Sequence, residues 1–350
     1  MGSKMVLGVV GALACAVSGH VGAQVTLYGQ VDAFLEQANT GNGRHVTRVS
    51  SGGSSVSRWG MRGSEDLGGG LKANFRLESG FNEDDGTLQN DLAFSRWVHV
   101  GLSGPWGAVD AGRMWSPTFV VGLKSDVLAR NRTSLITNMF RGASTRSGTS
   151  GTVPGFLSNS LRYTTPNLSG FSGEAMLTLG EAANNSNSGD GAGFNVQYSS
   201  GPLYLGYGYQ ALKSGSAAAP VAAPTTEKTH MLGASYKWSD ITLYATANTN
   251  RSSAVGYLRS TNLQASVAWN IQGPHTVLAQ IASRKVSGSP VAAKGWQLGY
   301  DNDLSKRTKL YARYGRVDNK GGSTITLNGA ALTGANADPS FVGAGISHAF

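Results

Sequence analysis

The chain has 350 residues, a formal charge of +9, one cysteine and 49 glycines, about twice the usual glycine share. The basic residues are scattered instead of clustered in a helix or tail, which excludes a nucleic-acid footprint, and the lone Cys15 excludes disulfide staples. Beyond the first residues no apolar run approaches the roughly 18 positions of a membrane helix, so a membrane-spanning form has to be built from strands.

Residues 1–23 read as a removable export segment. Lys4 precedes the apolar run Met5–Val17, and "HVGA" places small residues for cleavage after Ala23. Its removal takes Cys15 with it and lowers the charge from +9 to +8. From Gln24 onward no linker, charge block or helical period divides the chain, which predicts a single all-β domain over residues 24–350. Alternation and turn signals predict sixteen strands, near 25–37, 57–66, 71–81, 92–103, 107–114, 160–166, 171–181, 193–200, 203–211, 229–238, 241–250, 258–271, 276–285, 295–304, 308–318 and 340–350.

The connections alternate in length. Tight ones such as "DLGGG", "GPWG", "SGP", "SD" and "QGPH" carry turn chemistry, and between them fall longer segments such as "TGNGRHVTRVSSGGSSV" and "KSGSAAAPVAAPTTE". Short turns at one end and long loops at the other are the pattern of an antiparallel outer-membrane barrel. A soluble β-sandwich shares the alternation. The export segment, the loop asymmetry and the aromatic end "SFVGAGISHAF" separate the two: Val342, Ala344, Ile346, His348 and Phe350 share one face, with the aromatic terminus at the level of an interfacial girdle.

Strand parity then assigns the charges. In "SRWGMRGSEDLGGGLKANFRLESGF", Arg58, Gly60 and Arg62 oppose Trp59 and Met61, while Lys72, Asn74, Arg76 and Glu78 oppose Ala73, Phe75 and Leu77. Turning Arg58, Arg62 and Arg76 to lipid would cost about 6–12 kcal/mol, comparable to a domain's whole stability, so they are expected to face a lumen. The same parity sets Tyr28, Gln30, Asp32 and Glu36 against Leu27, Val31 and Leu35, and Lys309, Tyr311 and Arg313 against Leu310, Ala312 and Tyr314. Sixteen strands with a charged inner face predict an aqueous channel in place of a dry core.

"VTLYGQVDA", the arginine-bearing motif above, "VGLSGPWGAVDAGR", "NSLRYTTPNLSGFSGEAML" and the terminal Phe350 together resemble the general porins of β-proteobacterial outer membranes, over essentially the whole mature chain. The resemblance implies a homotrimer of sixteen-stranded barrels in the outer membrane of a Gram-negative bacterium, with the third external loop folded inward. That loop is expected at about 114–159, where Lys124, Arg130, Arg132, Arg141 and Arg146 face a single acid, Asp126. Relatives commonly carry acids on this loop, so the departure predicts a uniformly positive constriction. The resemblance also implies Arg96 and Arg113 as wall positions, although parity aligns them with Val98 and Val109, and only a bulge would turn them inward.

The function expected is passive diffusion of small hydrophilic solutes, anionic and neutral, with an anion preference. Expected lining residues are Arg58, Arg62, Lys72, Arg76, Arg130, Arg132, Arg141, Lys309 and Arg313, with Arg96, Arg113 and Asp126 as further candidates. His348 and Phe350 are expected to serve assembly, through the barrel assembly machinery, and outer-membrane lipid and lipopolysaccharide are the surrounding partners. A channel specific for phosphate-containing or organic acid solutes is the alternative, and a non-transport barrel, enzyme or adhesin, the third. No enzyme, cofactor or metal is expected: the histidines at 45, 99, 230, 275 and 348 are dispersed, no nucleophile elbow appears, and "NEDDG" at 82–86 lacks the terminal Glu of a calcium loop. "DND" at 301–303 reads as turn chemistry, and Trp106 and Trp238 as interfacial anchors.

Overall fold

The computed structural model describes residues 24–350 apart from 42, 149, 152, 183–186 and 217. The export segment expected over 1–23 lies outside the described residues. Alternating apolar and polar positions produce the strands β1 (Gln24–Asn39), β2 (His45–Ser51), β3 (Arg58–Gly68), β4 (Leu71–Gly80), β5 (Val98–Gly104), β6 (Gly107–Trp115), β7 (Phe156–Thr164), β8 (Phe171–Thr178) and β9 (Gly191–Ser200). The series continues with β10 (Leu203–Lys213), β11 (Thr226–Trp238), β12 (Ile241–Ser252), β13 (Ser260–Gln272), β14 (His275–Val286), β15 (Ala292–Asp303), β16 (Thr308–Lys320) and β17 (Ser340–Ala349).

Successive strands pair antiparallel, and β1 pairs with β17 from Gln30↔Ala349 to Asn39↔Ser340, which closes the sheet. Closure removes both edges, the condition for β structure in lipid. The seventeen segments fill sixteen wall positions, because β2 pairs with Ala33–Asn39 of β1 and β3 with Gln24–Gln30 of the same strand. Between β2 and β3 the chain leaves the wall and turns inward, where the Ser54 and Ser55 amides donate to the buried Asp32 carboxylate at 3.3 and 3.1 Å. The segment 45–51, expected within a long loop, is a strand; this break interrupts the alternation that would mark it.

Connections at one end are short (69–70, 105–106, 201–202, 239–240, 273–274), and those at the other include 81–97, 116–155, 214–225 and 321–339. The two faces of each strand separate cleanly: Leu35 is 59% exposed beside Glu36 at 1%, and Leu232 56% beside Met231 at 1%. Exposed leucines and valines form the outer belt, with Trp106 and Trp238 at the short-turn end.

The interior differs from the expectation of a wholly wet lumen. The segment 116–155 carries α1 (Pro117–Lys124), which packs against β8–β11, and α2 (Leu135–Met139), which packs against β13–β15. Leu135, Ile136 and Met139 join Phe34, Tyr311, Val317 and Phe341 of the wall, and Ile325 and Leu327 of the last long loop, in one buried apolar cluster. A few apolar residues on the inner face thus give the loop a dry seat on one side of the barrel.

Candidate functional site

The charged face of β1, β3 and β4 converges on one carboxylate. Glu78, fully buried, accepts from Arg76 Nη2 at 2.6 Å, from Arg96 Nε at 2.5 Å and from the Tyr28 hydroxyl at 2.9 Å, with Arg58 Nε at 3.9 Å. Arg76 Nε donates in turn to the Tyr28 oxygen at 2.7 Å. The register makes this possible: Gly60 stands opposite Glu78, and a Cβ on Gly60 would lie 2.8 Å from the Tyr28 oxygen. Glycine there is the space through which tyrosine reaches the acid.

Arg96 reaches Glu78 because the ladder of β5 begins only at Val98, so residues 92–97 do not follow the strand expected over 92–103. Its guanidinium lies 5.2 Å from the centre of the Phe156 ring, and that of Arg113 5.4 Å from the same ring. Arg113 is displaced by a bulge between Gly112 and Met114, where Gly112 holds φ +139, a conformation that disfavours any side chain.

Across from this wall lies the inward segment. Arg130 stacks on Phe119 at 4.3 Å, and the two residues, with Arg58, Arg76, Glu78 and Arg96, line a cavity of about 270 Å³. Glu78 is the only carboxylate among the described residues that line it, so four guanidinium groups share one negative charge. Burial lowers the Arg130 guanidinium to about 10, against the opposing pull of Asp126, so it remains a cation at neutral pH. Burial likewise lowers the Lys124 ammonium, whose Nζ donates to Gln197 at 2.7 Å.

Asp126, the loop's acid, is 3% exposed and accepts four donors: the Arg130 amide and the Ser134 hydroxyl at 2.7 Å each, Gln264 Nε2 at 2.9 Å and Gln280 Nε2 at 2.5 Å. A carboxylate held by neutral donors from both loop and wall fixes position. Arg284, 1% exposed, adds a second clamp through Nη1 to the Arg141 carbonyl and Nη2 to the Gly142 carbonyl, both at 2.9 Å. Asn131 and Thr133 tie the loop to the Gly53 carbonyl at 3.1 Å each.

The remaining candidates lie apart from the Glu78 cluster. Arg62 also lies over the tyrosine, 5.3 Å from the Tyr28 ring centre, and is exposed. Lys72 is exposed beside the β3–β4 turn. Arg132 donates to Asn82 at 3.0 Å, and Arg141 to the Asn138 carbonyl at 3.1 Å and to Thr326 at 3.4 Å. Arg313, 2% exposed, is paired with Asp301 at 2.6 Å, and Lys309 is paired with the same acid at 2.8 Å and with Asp303 at 3.6 Å. Asp301 and Asp303 therefore belong to an ion-pair group, which corrects the turn reading of "DND". Glu83 of "NEDDG" is also engaged, accepting from Ser51 and, at 2.8 Å, from Ser57, so that acidic tip is only partly solvated. Phe350 closes the ring through backbone bonds of 3.1 and 3.2 Å with Gly29, and His348 Nδ1 lies 2.9 Å from the Thr308 hydroxyl.

Sequence reading missed three groups: Glu78 as a hub, Arg284 as a loop clamp, and Arg162, which pairs with Asp110 at 2.7 Å and Glu174 at 3.6 Å. Parity places all of them on the charged face. Their partners come from other strands, and nothing local announces them.

With this geometry established, comparisons with known proteins agree on one class. The family described as Gram-negative porin matches residues 10–322. Outer membrane porin protein 32 of Delftia acidovorans is 32% identical, covering 96% of this chain and 97% of its own. An outer membrane porin protein of Bordetella pertussis is 28% identical over 84% of this chain and 82% of its own. The solved anion-selective porin from Comamonas acidovorans superposes with a TM-score of 0.83 at 29% identity, covering 94% of this chain and 100% of its own. The chain belongs to the Gram-negative porin family, an outer-membrane β-barrel.

Proposed function

We propose that this porin passes small hydrophilic solutes passively and favours anions over cations. The observation that carries the reading is the cavity between wall and loop, in which Arg58, Arg76, Arg96 and Arg130 share only Glu78. An energy difference of about 1.4 kcal/mol between anion and cation at such a point gives tenfold selectivity. The loop's one acid, Asp126, does not line that cavity and is tied by hydrogen bonds to Ser134 and Gln280, so the four guanidinium groups outweigh it there. That the similar Comamonas protein is an anion-selective porin supports the same reading.

Several further assignments belong to this reading. Residues 1–23 serve as the cleaved export signal, and the barrel is a channel instead of an enzyme. It assembles as a homotrimer through an apolar outward patch that includes the exposed Val46, Val49 and Trp59, with Phe94 6.2 Å from the Trp59 ring. The exposed aromatic terminus at Phe350 suits recognition by the barrel assembly machinery.

The test is the reversal potential in a planar bilayer under a KCl gradient, recorded with single-channel conductance. Wild-type protein is expected to give a potential set by chloride, and the variant R58Q/R76Q/R96Q/R130Q to lose about tenfold in the chloride-to-potassium ratio. A potassium-set potential in the wild type overturns the anion preference, and the absence of conductance steps overturns the open channel.

A further inference from the structure

The outward face of β10–β13 changes character along its height. Leu205, Leu232, Leu243 and Leu263 are exposed in the belt, and Trp238 marks its short-turn end. At the loop end stand cations. Lys228 and Arg251 are direct cross-strand partners, Arg259 lies where the chain enters β13, and His230 is the next outward residue below Lys228. These four, with Tyr207, Leu232, Ala247 and Thr249, line an open groove of about 450 Å³.

The height is that of a membrane interface. Ten residue steps separate Lys228 from Trp238 on one strand, about 33 Å of chain, or about 25 Å of height at the usual barrel tilt. That matches the roughly 25 Å apolar band of outer-membrane barrels, so the groove sits at the level of the outer-leaflet headgroups.

The charges there are unbalanced. Like charges directly opposite each other on a sheet repel, yet among the described residues Lys228, Arg251 and Arg259 form no ion pair. The acid next in sequence, Glu227, turns to the interior and accepts the Ala143 amide at 2.6 Å. His230 rests against two tyrosines of the neighbouring strand, with Nδ1 2.9 Å from the Tyr207 hydroxyl and its ring 5.0 Å from that of Tyr209. Its Nε2 is the nitrogen left for a ligand.

We propose that this groove binds the phosphate groups of lipopolysaccharide, the phosphorylated glycolipid of the outer leaflet. A phosphate monoester brings close to two negative charges and three acceptor oxygens, which suits two guanidinium groups and an ammonium converging from three chain segments. Leu232 and Ala247, directly below on neighbouring strands, form the apolar track along which an acyl chain lies. The site is on the side of the barrel opposite Val46, Val49 and Trp59, and it therefore faces lipid if those residues meet a neighbouring subunit. The inference uses only the outer-membrane placement and is independent of ion preference in the pore.

The test titrates the purified full-length porin in detergent with bisphosphoryl lipid A, read by native mass spectrometry. The triple variant K228Q/R251Q/R259Q is expected to bind lipid A at least tenfold more weakly while its conductance steps in planar bilayers stay unchanged. Should the triple variant fail to insert, R251E alone is expected to weaken binding at least threefold, with R251K restoring most of it. Retained lipid A affinity in these variants overturns the proposal. So does equal affinity for fully dephosphorylated lipid A or for phosphatidylglycerol, or displacement of lipid A by inorganic phosphate at equimolar concentration, which would assign the cluster to free phosphate.

Discussion

Among the buried carboxylates of the barrel interior, Glu78 on the wall and Asp126 on the inward loop differ most plainly in the company they keep. Glu78 is surrounded by Arg58, Arg76 and Arg96, whose side chains remain 26%, 27% and 13% exposed, so positive charge is left over and faces the water. Asp126 is surrounded by an amide, a hydroxyl and two glutamines and does not line the arginine cavity, so its carboxylate serves to hold the loop still. A carboxylate among guanidinium groups shapes the field of a pore; one among amides and hydroxyls shapes its bore.

The largest expected effect separates those roles. Asp126→Ala leaves four donors without their acceptor, at about 1–3 kcal/mol for each buried group that finds no substitute. The urea midpoint of the folded barrel in detergent micelles is expected to fall, with a stability loss of at least about 3 kcal/mol. Single-channel steps become larger and noisier as the loop loosens, while the chloride-to-potassium ratio changes less than twofold. A selectivity change as large as that of the four-arginine variant would mean that Asp126 contributes to the field after all.

A smaller effect, of the opposite kind, belongs to Glu78→Gln. Removing one negative charge about 6 Å from a passing ion in a water-like medium favours chloride and disfavours potassium by about 0.7 kcal/mol each; in 0.1 M KCl screening roughly halves both, so the chloride-to-potassium ratio is expected to rise about threefold. Conductance steps should keep their noise, because the loop's own anchors are untouched. A fall in chloride preference would show that Glu78 is needed to hold the arginines in place, and the comparison between field and bore would fail at that residue.

Much of this was legible along the strands and little of it across them. Alternation placed Tyr28, Arg58, Arg76 and Glu78 on one face of neighbouring strands, and the structure has them in contact. The inward position of Arg96, which the family resemblance implies, is not readable from parity, because regular pairing begins only at Val98. Asp126 was visible as the loop's only acid, but its partners Gln264 and Gln280 lie 138 and 154 residues away. The break between β2 and β3 depends in the same way on Asp32 receiving amides from Ser54 and Ser55, an arrangement no local pattern encodes.

The smallest effect is expected where cations and acids are matched. Arg313 pairs with Asp301, and Lys309 with Asp301 and Asp303, so two positive and two negative charges close on one another. Arg313→Gln leaves one carboxylate in excess, still bound by Lys309, and the Arg313 side chain it replaces was only 1% exposed. In 0.1 M KCl, where charges are screened over about 10 Å, the chloride-to-potassium ratio is expected to change less than twofold; in 1 M KCl, with screening over about 3 Å, the change should vanish. A tenfold change would place Arg313 in the ion path, and the distinction between matched and unmatched arginines would no longer explain which of them select.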